Sequence, residues 1–172
     1  RNFGEDMDDG KELSQQFKIE TRVVDLTEVK NKELEVLENV TTITDAASAN
    51  IAPRLRMITL YTIAASENRI VAGTGNRSEA YMGYFTKWGD GAYDFNPIAD
   101  LTATEVFEFL RYLKAPSSII EKAPSAGLFE GQTDEKEMGV TYKAIDKYIT
   151  EGKGEPEDVE TINRYHLRNL HK

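Results

Sequence analysis

Thiols are missing altogether from this chain of 172 residues, and it has only two histidines and one tryptophan. Without cysteine there are no disulfides, thiolate metal sites or cysteine nucleophiles, which fits a reducing compartment such as the cytoplasm. Two histidines alone do not furnish a transition-metal centre, and no Ser/His/Asp set suggests itself. No apolar run approaches the roughly 18 residues of a membrane span, and no signal peptide opens the chain. Positive charge is scarce: 21 Lys and Arg stand against 30 Asp and Glu, giving a net charge of −9. That balance argues against nucleic acid as a partner, because phosphate backbones need a basic face. It leaves room for a small anion, which a local cluster of cations and amides can hold against the global field.

What remains is a soluble globular mix, 40% apolar and 30% charged, long enough to bury a core as one domain. The opening Arg1-Asn2-Phe3-Gly4 has neither an initiator methionine nor a first strand, so an N-terminal part is expected to be missing. The acidic run at residues 5–9 precedes a short amphipathic stretch ending near Phe17. It suits a helix N-terminus, with a nucleotide-site role as the alternative. Ile19 to Leu26 reads as a strand and Thr27 to Glu38 as a surface helix, while Val40 to Thr44 fits helix or loop. Leu55 to Ala65 is apolar on nearly every side, started or kinked by Pro53; core burial and a subunit interface both fit it. Arg69 to Gly73 reads as a short buried strand, Ser78 to Met82 as a helical turn, and Tyr84 to Pro97 as a functional loop. Thr102-Ala103-Thr104-Glu105 has the spacing of a capping box opening a helix over Val106–Leu113. An irregular stretch follows over Ala123–Met138. Helices are expected over Tyr142–Ile149 and from Pro156, where Val159, Ile162 and His166 share a face. Strands alternating with helices predict an α/β domain with a mainly parallel sheet, its ligand at the carboxyl ends of the strands.

The loop after Gly73 carries the chemistry. Gly73-Thr74-Gly75 lets backbone amides approach phosphate, and Glu79, one turn on, suits a hard cation. Lys87 suits phosphate or carboxylate, Asp90 and Asp94 suit hydroxyls, and Phe85, Trp88 and Tyr93 offer flat faces to a heteroaromatic ring. Each of these also has a plain structural reading, as turn residues and loop-packing aromatics. Arg54 and Arg56, two apart on a helix, face different ways. His171-Lys172 forms a terminal cationic pair, and His166 reads as a packing or surface residue.

Taken in order, Gly73-Thr74-Gly75-Asn76-Arg77-Ser78-Glu79, Gly83-Tyr84-Phe85-Thr86-Lys87-Trp88-Gly89-Asp90-Gly91, Asp94, Pro97 and Leu101-Thr102 resemble the ammonia-dependent NAD synthetase family. Lys122 to Leu128, Gly131 to Glu135, Tyr142 to Tyr148 and His171-Lys172 continue the resemblance over roughly Asn50 to Lys172. It implies an adenine-nucleotide α-hydrolase-like, Rossmann-like sandwich, three layers around a parallel sheet, with residues 1–172 as one domain. It also implies a homodimer, ATP and deamido-NAD as substrates, ammonia as donor, Mg²⁺, and amidation through an acyl adenylate. Residue by residue, it implies Thr74 and Ser125 at ATP, and Glu79 at magnesium. Arg54, Phe85, Lys87, Asp94, His171 and Lys172 would then meet the deamido dinucleotide. Two departures stand out: the family's Ser-Gly-Gly-x-Asp-Ser pyrophosphate loop is absent from these residues, and Ala103 occupies a position where lysine is common. Another ATP pyrophosphatase of the same fold, or a degenerate nucleotide-binding dimerisation module, are the alternative readings.

Overall fold

A computed structural model describes residues 4–125 and 131–172. The helices are α1 (Gly4–Phe17), α2 (Thr27–Glu38), α3 (Asp45–Ser66), α4 (Arg77–Met82), α5 (Ala103–Tyr112), α6 (Ser117–Ile120), α7 (Asp134–Met138), α8 (Tyr142–Glu151) and α9 (Pro156–Asn169). The chain divides into two compact units, one boundary falling within α9. The first comprises Arg1–Val23 with Thr102–Arg164, and the second Val24–Leu101 with Tyr165–Lys172.

In the first unit, α5 and α8 pack together, and Met138, Ile145 and Ile162 are fully buried. The expected Thr102–Glu105 capping box is present: Thr102 Oγ1 accepts from the Glu105 N–H, and Glu105 Oε2 accepts from the Thr102 N–H at 2.7 Å. The buried Asp146 of α8 adds a third contact, accepting the Thr104 N–H at 2.8 Å. Together these satisfy amides that a helix start leaves without intrahelical partners. The acidic stretch before Phe17 has structural work as well. Asp9 pairs with Lys122 at 2.6 Å, and Glu12 accepts from the Ser118 hydroxyl at 2.8 Å, so one face of α1 holds the α6 region.

Several expectations change. Ile19 to Leu26 forms no strand: it runs irregularly, with Ile19, Val23 and Val24 exposed, and among the described residues no neighbouring strand pairs with it. Arg69 to Gly73 is likewise reduced to one isolated parallel bridge, Ala72 with Phe95, the only β-pairing among the described residues. Val71 is buried there, but Ile70 is 68% exposed. Pro53 does not start the apolar helix. α3 begins at Asp45, where Thr44 Oγ1 accepts from the Ala47 N–H, and runs through Pro53 to Ser66. Nor is α3 buried all round, since Ile58 and Leu60 are about half exposed. Within the stretch expected to be irregular, residues 134–138 form α7, and residues 126–130 lie outside the described set.

Candidate functional site

The second unit gathers the predicted ligand residues around the turn and loop that follow Val71. Asp94 Oδ2 accepts the Val71 N–H at 2.7 Å, and the Gly73 N–H donates to the Phe95 carbonyl at 2.7 Å. The chain then turns through Thr74, which is exposed, and enters α4. This helix start is a second capping box. Asn76 Oδ1 accepts the Glu79 N–H at 2.9 Å, and Glu79 Oε2 accepts the Asn76 N–H at 2.8 Å. Glu79 is thus held beside the glycine-rich turn, one oxygen committed to the backbone.

α4 ends at Gly83, whose φ of 63° lies in the left-handed region that glycine enters without steric cost. The loop that follows is tied to α3 and to the C-terminal residues. Thr86 Oγ1 donates to Asn50 Oδ1 at 2.7 Å, the Thr86 N–H donates to Asp90, and Gly89 lies against the buried Pro53. Arg54 Nε donates to the Lys87 carbonyl at 3.3 Å. Lys87 Nζ donates to the His171 carbonyl at 2.5 Å. Lys172 Nζ donates to the Gly83 and Phe85 carbonyls at 2.6 and 2.8 Å and stands 5.4 Å from the centre of the Phe85 ring. That ring rests against Gly91, where a Cβ would come within 2.5 Å of it. Lost hydration holds the Lys172 ammonium below the ordinary lysine range; Asp90 opposes this effect and Arg168 adds to it. Trp88, exposed, sits at φ 61°, uncommon for a bulky residue, with the Lys87 ammonium 5.9 Å from its ring.

The structure therefore brings Arg54, Phe85, Lys87, His171 and Lys172 into one cationic and aromatic cluster. Asp94 lies at the far end of the same loop, beside Tyr61 of α3, whose hydroxyl donates to Asp94 Oδ1 at 3.4 Å. Lost hydration and then the Asp94 carboxylate push the Tyr61 phenol up. Arg54 and Tyr61 are seven residues apart, two helical turns, and so fall on one face of α3. Ser125 belongs to the first unit and is exposed, immediately before the undescribed residues. Ala103, where the resemblance expects lysine, is buried at the start of α5.

Sequence reasoning missed Asn76, Tyr61 and Asn169. The Asn76-x-x-Glu79 spacing was a readable signal. Tyr61 was read as one more apolar residue of its helix. Nothing local marks Asn169, which donates to the Met82 carbonyl from 87 residues away.

A glycine-rich turn entering a capped helix, beside a loop where cations and rings converge, is an arrangement suited to anionic ligands that carry flat rings. The chain belongs to the NAD synthase family, whose model matches residues 2–172. It is 51% identical over 170 residues to the NH(3)-dependent NAD(+) synthetase of Carboxydothermus hydrogenoformans, covering 98% of this chain and 70% of that relative. Among solved structures, it resembles the NMN synthetase from Francisella tularensis with a TM-score of 0.93 and 43% identity, over 96% of this chain and 69% of that one. It also resembles the NH3-dependent NAD synthetase from Campylobacter jejuni, determined with nitrate, with a TM-score of 0.74 and 25% identity, over 95% and 67%.

Proposed function

We infer that the intact protein amidates deamido-NAD with ammonia at the expense of ATP, forming NAD, AMP and pyrophosphate. The observation that supports this most is the family match across residues 2–172, together with half identity to a relative named for that reaction. A carboxylate is a poor acyl donor, so the nicotinate oxygen attacks the ATP α-phosphorus and pyrophosphate leaves. Ammonia then adds to the acyl carbon, gives up a proton, and AMP departs as the amide forms. Work of this kind is positioning and charge neutralisation rather than covalent catalysis by the protein.

In this reading Arg54, Lys87, His171 and Asp94 meet the dinucleotide, and Phe85 lies against its pyridine ring. Lys172 meets the dinucleotide beside His171. Thr74 and Ser125 serve ATP. Among the described residues no three carboxylate or imidazole groups gather into a metal cage. A single carboxylate with substrate phosphates nevertheless suits Mg²⁺, which keeps most of its shell as water and phosphate oxygen. Glu79 would hold it, and the ion would neutralise phosphate charge. We further propose that the full fold is the parallel-sheet sandwich and that the protein is a homodimer. The half-exposed Ile58 and Leu60 on α3 are consistent with a covered face.

A second reading concerns substrate size. The resemblance to a protein named NMN synthetase, at a TM-score of 0.93, favours a mononucleotide. Assays of AMP release with deamido-NAD and with nicotinic acid mononucleotide, each with ATP, Mg²⁺ and ammonium, test both. Release that depends on the dinucleotide is the expected result. Release with the mononucleotide alone would replace it, and no dependence on either would end the ligase reading.

A further inference from the structure

Three residues of the C-terminal segment are spaced by three: His166, Asn169 and Lys172. Their polar atoms meet successive carbonyls at the end of α4. His166 Nδ1 lies 2.9 Å from the Tyr81 carbonyl, with its ring stacked on the Tyr81 ring at 4.3 Å. A carbonyl only accepts, so this nitrogen carries the proton. Asn169 Nδ2 donates to the Met82 carbonyl at 3.0 Å, and Lys172 Nζ to those of Gly83 and Phe85. A helix end leaves its last carbonyls without intrahelical donors and concentrates negative charge there, so N–H donors and a cation are the groups that suit it. The seating is close: a Cβ on Gly83 would fall 2.2 Å from that of Asn169. The loop grips back, since Lys87 Nζ donates to the His171 carbonyl.

We propose that His166, Asn169 and Lys172 form a positioning clamp that fixes the 83–87 turn, and through it Phe85 and Lys87, for the pyridine nucleotide. This rests on the ligase reading above.

The test uses the intact protein with fluorine-labelled tryptophan, the Trp88 resonance being assigned by Trp88→Phe. Lys172→Met and Asn169→Ala should each shift or broaden that resonance. Each should raise KM for the pyridine nucleotide about tenfold while KM for ATP stays within about twofold. The double variant should add little, because one loop is released either way. Lys172→Arg, which can still reach both carbonyls, should restore the wild-type resonance and KM. A folded Asn169→Ala with wild-type resonance and KM, beside a large effect of Lys172→Met, would assign Lys172 to the substrate and overturn the clamp. Should Asn169→Ala not fold, His166→Phe makes the same test, since it keeps the stacked ring and removes the donor. An unchanged Trp88 resonance in folded His166→Phe overturns the proposal equally. The resonance needs no turnover, so a failure of the clamp is distinguishable from a failure of the ligase reading.

Discussion

The two capping boxes among the described residues use one grammar for two ends. At α5, Thr102 and Glu105 exchange hydrogen bonds, Thr102 is buried, and the buried Asp146 of α8 takes a further amide. At α4, Asn76 and Glu79 make the same exchange, but they follow a glycine-rich turn and precede the clamped loop. The first box is absorbed into packing. The second holds a carboxylate beside a glycine-rich turn in which Thr74 is exposed. A capping box identifies a helix start; only what surrounds it says whether the carboxylate has a second task.

The sharpest way to separate the boxes is to remove charge while keeping the cap, since glutamine also completes a capping box. Glu79→Gln should lower Mg²⁺-dependent turnover by about a hundredfold or more, with Tm nearly unchanged. Turnover within a few fold of wild type at saturating Mg²⁺ would make Glu79 a cap and nothing else. Glu105→Gln, the matched control, should leave turnover intact.

Removing the cap itself reverses the contrast. Thr102→Ala should cost about 1 kcal/mol, a fall in Tm of about 2–4 °C, with turnover per folded molecule unchanged. Asp146→Ala should cost somewhat more, about 1–3 kcal/mol, because it strands the half-buried Thr104 amide. Thermal melts read against specific activity check both. A loss of activity without a loss of Tm would place the α5 start in the site after all.

This contrast was only half legible in the sequence. Thr102-x-x-Glu105 stands before an apolar helical period and could be read directly. Asn76-x-x-Glu79 has the same spacing but sits among glycines, so it reads as a phosphate turn. The bounds of α2, Thr27–Glu38, follow from local composition. The start of α3 does not, since Ala46 to Asn50 carries no apolar period and Pro53 looks like a beginning. Segments that depend on distant neighbours were least readable. Ile19 to Leu26 has the residues of a strand, but pairing is not a local property. The clamp joins carbonyls at 81–85 to donors at 166–172, a pairing invisible to any window. The resemblance supplied Lys87 and Lys172 as functional; the geometry adds that they hold each other's segments in place.

A third helix start gives the smallest effect and completes the series. α2 has no side-chain cap at Leu26, but Asp25 Oδ1 accepts the Thr27 N–H at 2.9 Å. Hydrogen bonds from the Thr27 side chain and then its backbone hold the Asp25 carboxyl below its usual 3.8. Because the folded carboxyl releases its proton more readily than the unfolded chain's, the contact stabilises the fold at pH above the unfolded value. That contribution is lost as pH falls through the lower folded value. The group is fully exposed, so its effect should be near the limit of a melt. Carbon-detected titration of Asp25 should give a midpoint below 3.8, and Thr27→Val should move it upward without touching turnover. A midpoint at or above 3.8 would mean that the Asp25–Thr27 contact does not hold in solution. The α2 start would then rest on backbone alone, and the series would have two supported starts rather than three.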